Sequence, residues 1–262
     1  NIVGYTDKFS AHPGDVIKFM VSCQKPEYAA QLVRLIHGDT NPDGPGYKEE
    51  VIQSPIDGTY PGKYQELRSG SYITIPDHPS LHLSDSFTLS AFIYPTTPSW
   101  RTQGILTKGS NQSNTGFRLI IDDDGGIALA LGSNDSNNKV GTGIPLRNKF
   151  WYFVAASYDA PSGKVSLYQI PITIWPQDSS HAFAIRDIGS ITISPNSEPL
   201  IMAGWSEGQN DGKQNVGGLY NGKIESPAIF SRALGPDEIE RLSKGTAPKE
   251  VGSGLVAHWD FA

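Results

Sequence analysis

Ser86-Phe87-Thr88-Leu89-Ser90-Ala91-Phe92-Ile93 is the stretch that decides the fold. In an extended chain Phe87, Leu89, Ala91 and Ile93 fall on one face, and Thr88, Ser90 and Phe92 on the other. A period of two over eight residues is a strand signal, because successive strand side chains point to opposite faces. The same texture continues outward. Gly116–Ile121 and Ile127–Leu131 flank Asp122–Gly126, an Asp/Gly cluster that reads as a hairpin tip, since Gly tolerates positive φ and Asp caps its own backbone. Trp151–Tyr158 and Lys164–Ile170 flank a second turn at Ala160–Gly163, and Leu200–Gly204, Gly222–Phe230 and Leu255–Phe261 read as further strands. Punctuation by 28 Gly and 19 Pro keeps the segments short. The fold class expected is all-β.

One helix is expected, over Pro236–Lys244. Pro236 suits the first helical position, Asp237 and Glu238 favour the positive end of the dipole, Ile239 and Leu242 share a face, and Gly245 can terminate it. The first 65 residues read differently. Pro13-Gly14-Asp15 followed by Val16–Ser22 resembles the opening turn and strand of an immunoglobulin-like sheet, and Gln31–Ile36 gives a second strand. His37–Glu50, rich in Gly, Pro and charge, is expected to be an ordered loop without regular structure. A boundary near Gln65 divides the chain into an N-terminal β segment, 1–65, and a main sandwich, 66–262.

Length and charge narrow the functions. The chain has 262 residues, a net charge of −6 and a pI near 5.5, with no run of Lys or Arg. It therefore lacks the electrostatic footprint of nucleic-acid and anionic-membrane partners. No stretch approaches a membrane span, and Asn1–Lys8 lack the pattern of a secretory signal. A cytoplasmic setting is expected from the lone cysteine, Cys23. Cys23 is the single cysteine, which excludes an internal disulfide and a thiolate zinc cluster within the chain. Its neighbours Phe19 and Val21 mark it as a small core hydrophobe.

From Gly70 to Phe261 the chain resembles a laminin-G-like, concanavalin A-type jelly roll. The resemblance rests on Ser86–Ile93, Gly104–Gly109, Phe150-Trp151-Tyr152 and Gly163–Tyr168. Its most specific part is Tyr220–Glu225 running through Ile229–Leu234 into Asp237-Glu238-Ile239. Gly4–Asp7, Pro13-Gly14, Leu32–Asp39, Gly44–Glu50, Gly70-Ser71-Tyr72 and Leu255–Phe261 resemble the N-terminal region of the large (beta) subunit of N,N-dimethylformamidases. That likeness covers essentially the whole chain. It implies that the amide-hydrolysing, iron-binding residues lie beyond the point where this sequence stops. It further implies a C-terminal catalytic domain and a small subunit as partners.

Retaining β-glucanases of this fold need carboxylates alternating on one strand as Glu-x-Asp-x-x-Glu, and no strand here has them. Asp237-Glu238-Ile239-Glu240 is the nearest string and belongs to the helix. There is no Gly-x-Ser-x-Gly elbow, P-loop or His-Glu-x-x-His. The densest polar cluster is His37, Asp39, Asp43, Glu49 and Glu50 with Tyr47. It has no known ligand spacing, so its functional reading is an interface, through His37, Asp39, Tyr47, Glu49 and Glu50. Asp122, Asp123 and Asp124 are calcium candidates, against the plainer reading of a tight turn, and Asn134–Asn138 stand in the same position. Trp100, Trp175 and Trp205 are candidate sugar platforms, with Glu207, Asn210 and Asp211 as polar groups near Trp205, against the plainer reading that each ring covers a core edge. Trp151 and Trp259 are expected in the core. No other cofactor is expected. Two functions remain open: a non-catalytic assembly module of an amide-hydrolysing large subunit, or a carbohydrate-binding lectin-like module.

Overall fold

The computed structural model describes residues 1–65, 70–109, 115–132, 138–210 and 213–261. It divides into two compact units, Asn1–Ser69 and Gly70–Ala262.

Two six-stranded antiparallel sheets make the second unit a sandwich. One has the order β12 (Lys139–Gly141), β11 (Ile127–Leu131), β10 (Phe117–Ile121), β9 (Gln103–Lys108), β16 (Leu200–Met202) and β7 (Ile73–Ile75). The other runs β15 (Ala182–Asp187), β14 (Lys164–Pro171), β13 (Tyr152–Asp159), β8 (Phe87–Pro95), β19 (Gly222–Phe230) and β20 (Leu255–His258). β8 pairs with β13 and β19, neither its neighbour in sequence, which is the non-local pairing of a jelly roll. Between the sheets lies one core containing Phe87, Leu89, Ala91, Ile93, Leu119, Leu129, Tyr152 and Leu167. The alternation in β8 thus points its expected apolar face inward.

The opposite face of that sheet carries a second core, because α1 (Pro236–Ser243) and α2 (Pro248–Val251) lie across it. Ile239, Leu242 and Val251 pack on Phe153, Ala155, Ala228 and Phe230. Burial on both faces explains why Thr88 and Ser90, polar positions in the strand pattern, are almost inaccessible. Thr88 is satisfied there by Ser157 Oγ at 2.8 Å and the Arg232 carbonyl at 2.9 Å. The expected helix ends at Ser243, with Lys244 as its C-cap and Gly245 at φ +87°; the one-turn α2 is an addition.

Trp259 packs against the first core as expected, but Trp151 does not belong to it. The strand starts at Tyr152, whose ring takes the inward position, so period two turns Trp151 outward onto Tyr94, ring centroids 5.5 Å apart. Among the described residues no helix is long and apolar enough to cross a membrane.

Among its described residues the first unit holds three two-stranded sheets: β1 (Ile2–Thr6) with β2 (Phe19–Cys23), β3 (Glu27–Ala30) with β6 (Gly58–Pro61), and β4 (Val33–His37) with β5 (Lys48–Val51). The expected loop from His37 to Glu50 is therefore a hairpin, since Lys48–Val51 pairs with Val33–His37 across a bulge. Cys23 is buried as expected.

Candidate functional site

The β4–β5 hairpin brings together all five residues of the expected interface. A chain of short-range hydrogen bonds fixes its tip. His37 Nδ1 lies 3.0 Å from the Gly46 carbonyl, the Asn41 amide donates to Asp39 Oδ1 at 2.8 Å, the Asp43 amide to Asn41 Oδ1 at 3.1 Å, and the Gly44 amide to the Asn41 carbonyl at 3.0 Å. These are Asx turns, in which the side chain stands in for a backbone acceptor. Tyr47 donates to Glu49 Oε2 at 2.6 Å, and that bond pushes the phenol pKa up. Arg34 reaches Glu50 at 3.5 Å on the exposed surface. The polar groups are thus spent within the hairpin, while Leu35, Ile36, Tyr47 and Val51 remain uncovered.

Trp205 and Glu207 stand on a separate ribbon, β17 (Trp205–Asn210) with β18 (Lys213–Gly217). The Trp205 ring lies against Gly218, where a Cβ would sit 2.0 Å from the ring, so only Gly permits this approach. Its Nε1 is buried and has no partner among the described residues. Glu207 folds over Gly217 and faces Asn215 Nδ2 at 3.4 Å. Asp211 and the Asn210 side chain lie outside the described residues. Trp100 and Trp175 are well exposed; the Arg101 guanidinium stacks on the Trp100 ring at 4.6 Å.

At the β10–β11 tip the aspartates serve the turn. The Gly126 amide donates to Asp124 Oδ1 at 2.7 Å, and Asp122 Oδ2 meets Lys139 Nζ at 2.7 Å. No group of three or more His, Cys, Asp or Glu able to hold a metal occurs among the described residues. Residues 134–137 of the Asn134–Asn138 candidate lie outside them.

A cleft of about 320 Å³ was not foreseen. It opens on the helix-bearing face of the second sheet, between Ser90, Phe92 and Phe153 below and Gly245–Pro248 above. At one end β19 bulges: Glu225 pairs with Phe92 and Ala228 with Ser90, leaving one extra residue. Pro227, which cannot donate to a ladder, sits in the bulge, and Ser226 takes φ +49°, a strained angle for a residue with a Cβ. Ser226 Oγ and His258 Nε2 share a 2.8 Å hydrogen bond. Glu225 Oε1 accepts from the amides of Ser226 at 2.7 Å and Phe261 at 3.2 Å.

Residues 67–169 match the model of the Concanavalin A-like lectin/glucanases superfamily. The sialidase carbohydrate-binding module CBM40 of Ruminococcus gnavus, solved with alpha2,3 sialyllactose, superposes with a TM-score of 0.51 at 18% identity over 68% of this chain and 95% of that one. The sandwich has a concanavalin A-like fold. Over its whole length the chain is also 34% identical to N,N-dimethylformamidase beta subunits of Paracoccus aminophilus and of an Alcaligenes species. It spans about a third of the length of those curated relatives, 35% in each case.

The sandwich hides its cleft from a sequence reading for a physical reason. Glu225 and His258 stand inside two of the strings that carry the family resemblance, where they read as strand residues. Only the register shift, set by pairing with β8, brings the neighbouring Ser226 against His258. Pro227 within an apolar strand was the available signal, because a proline in a ladder marks a bulge. The Ser226–His258 spacing is that of a hydroxyl and its base.

Proposed function

We propose that this chain is a non-catalytic assembly module of an N,N-dimethylformamidase-like large subunit, in which the first unit docks on the remainder of that subunit. The observation that carries the reading is the apolar surface of that unit. Val33, Leu35, Ile36, Tyr47 and Val51 are all exposed on the β4–β5 hairpin, as are Ile2, Val3, Tyr5, Phe19 and Met20 on the β1–β2 ribbon. Isolated two-stranded ribbons are marginal in water, and contiguous apolar surface on a soluble protein marks an interaction site. The relatives supply the occupant: nearly two thirds of their length has no counterpart here, as the 35% coverage leaves it unmatched. In this reading His37, Asp39, Tyr47, Glu49 and Glu50 of the same hairpin supply the polar part of the interface.

The test is to express the chain with the remaining part of the subunit and recover one through the other. Wild-type chain should capture it, and Leu35→Asp with Val51→Asp should abolish capture while leaving the second unit folded. Equal capture by the double variant would refute the docking surface. The purified chain should not hydrolyse N,N-dimethylformamide. A lectin-like role is less well supported, because one face of the Trp205 ring is taken by Gly218; specific binding to a glycan panel would favour it.

A further inference from the structure

We infer that the cleft between the β19 bulge and the α1–α2 connection is a binding site for a small organic cation with an apolar body, an arylalkyl- or alkylammonium. This is independent of the assembly reading above. Three features point to that ligand class. The floor is apolar: Phe92 and Phe153 meet edge to face, ring centroids 5.2 Å apart at 64°, with Leu242 beside them. Aromatic rings attract cations through their quadrupole and bury a hydrocarbon body well.

The polar end accepts rather than donates. Glu225 is held at the mouth by the two backbone amides on its Oε1, while Oε2 accepts no hydrogen bond among the described residues. Ser226 Oγ, fixed by His258, adds a lone pair next to it. An ammonium group, with several donors and no acceptor, satisfies this arrangement, whereas a carboxylate or phosphate would be repelled by Glu225.

Among the described residues no lysine or arginine lines the cleft, whose other titratable groups are His258 and Asp260. The basic groups of the neighbouring helix are engaged elsewhere, Lys244 with Glu240 at 2.5 Å and Arg241 with the carbonyls of Glu250 and Val251 at 2.6 and 3.3 Å. The strain at Ser226 supports a built site. A bulge that forces a non-glycine residue to φ +49° is retained where the side chains it re-aims serve a purpose.

The experiment is a titration of the whole chain, followed by ligand-observed NMR, with benzylammonium, the neutral isostere benzyl alcohol and the anion benzoate. Benzylammonium should bind most tightly and benzoate not at all. Glu225→Gln, whose amide oxygen can still accept from Ser226 and Phe261, should weaken benzylammonium about tenfold and leave benzyl alcohol unchanged. If that variant loses its circular dichroism, Phe92→Leu supplies the same test, weakening the cation more than the alcohol. Equal affinity for benzylammonium and benzyl alcohol, no binding of either, or an unaltered cation affinity in the folded variants would overturn the assignment.

Discussion

At the residue scale the sandwich depends on a charge placed where pattern would put an apolar group. Lys108 ends β9, whose six residues are all buried, and its own side chain is 1% exposed. Burial of an ammonium is tolerated only with partners, and it has three: Asp77 Oδ1 at 2.6 Å and the carbonyls of Asn196 at 3.2 Å and Glu198 at 2.5 Å. His82 Nε2 braces Asp77 at 2.9 and 3.0 Å from its two oxygens. Lys108, with His82 assisting, holds the Asp77 carboxyl below its ordinary pKa. One side chain thus ties the segments before the 3₁₀ turn Pro79–Leu81 and before β16 to the end of the first sheet. Lys108→Ala should cost about 3 kcal/mol or more, since it empties the stem's volume and leaves two carbonyls without a donor. Lys108→Met restores the volume and isolates the charge. Urea unfolding of the pair checks this; Lys108→Met as stable as wild type would show that the stem alone matters.

At the element scale α1 shows how a short helix holds its place. Gly235 is the extended N-cap and Pro236 occupies the first position, where its missing N–H is harmless. Glu238 accepts from the Gly235 amide at 3.0 Å and takes both ends of the Arg232 guanidinium, at 2.8 and 2.5 Å. The Arg232 fork pulls the Glu238 pKa from 4.5 down to about 2. A folded-state pKa below the unfolded one means that the stability is fully present above about pH 4.5 and is lost as pH falls towards about 2. Glu238→Gln should therefore destabilise by about 1 kcal/mol at pH 7, discounted for a pair with partial exposure, and by little near pH 2. Thermal melts of both proteins at the two pH values measure the difference, and an equal difference at both would show that the charge is not responsible. This helix was readable from Pro236, the acidic first turn and Gly245 because those signals are local. β8 was equally readable, since its period is local too. The β4–β5 pairing was not, because a segment rich in Gly and Asp carries no alternation and its strand forms only against Val33–His37. Nor was the Ser226–His258 contact, which depends on two residues 32 apart being brought together by register.

At the scale of the whole molecule the two units differ in what holds them. The second encloses two cores between and upon its sheets, with residues such as Phe87, Leu89, Ile93 and Tyr152 inaccessible to solvent. In the first, Cys23 is the single buried apolar residue among those described, and its three sheets have two strands each. Hydrophobic burial is the main term opposing chain entropy, so a unit with so little of it opens at lower free energy than its neighbour. The chain should therefore not unfold in one step. Cys23 reports on this, being the only thiol and lying in the weaker unit. In native buffer Cys23 should react slowly with a disulfide reagent such as DTNB, because burial at 4% exposure shields its sulfur. On adding urea, its reactivity should rise at concentrations where the far-ultraviolet signal, dominated by the twelve strands of the sandwich, has not changed. A partner covering the exposed ribbons would bind only the folded first unit. It should then shift the thiol transition to higher urea, by an amount that grows with its concentration, and leave the sandwich transition in place. Coincident thiol and dichroism transitions in the isolated chain would show instead that the first unit draws its stability from the second.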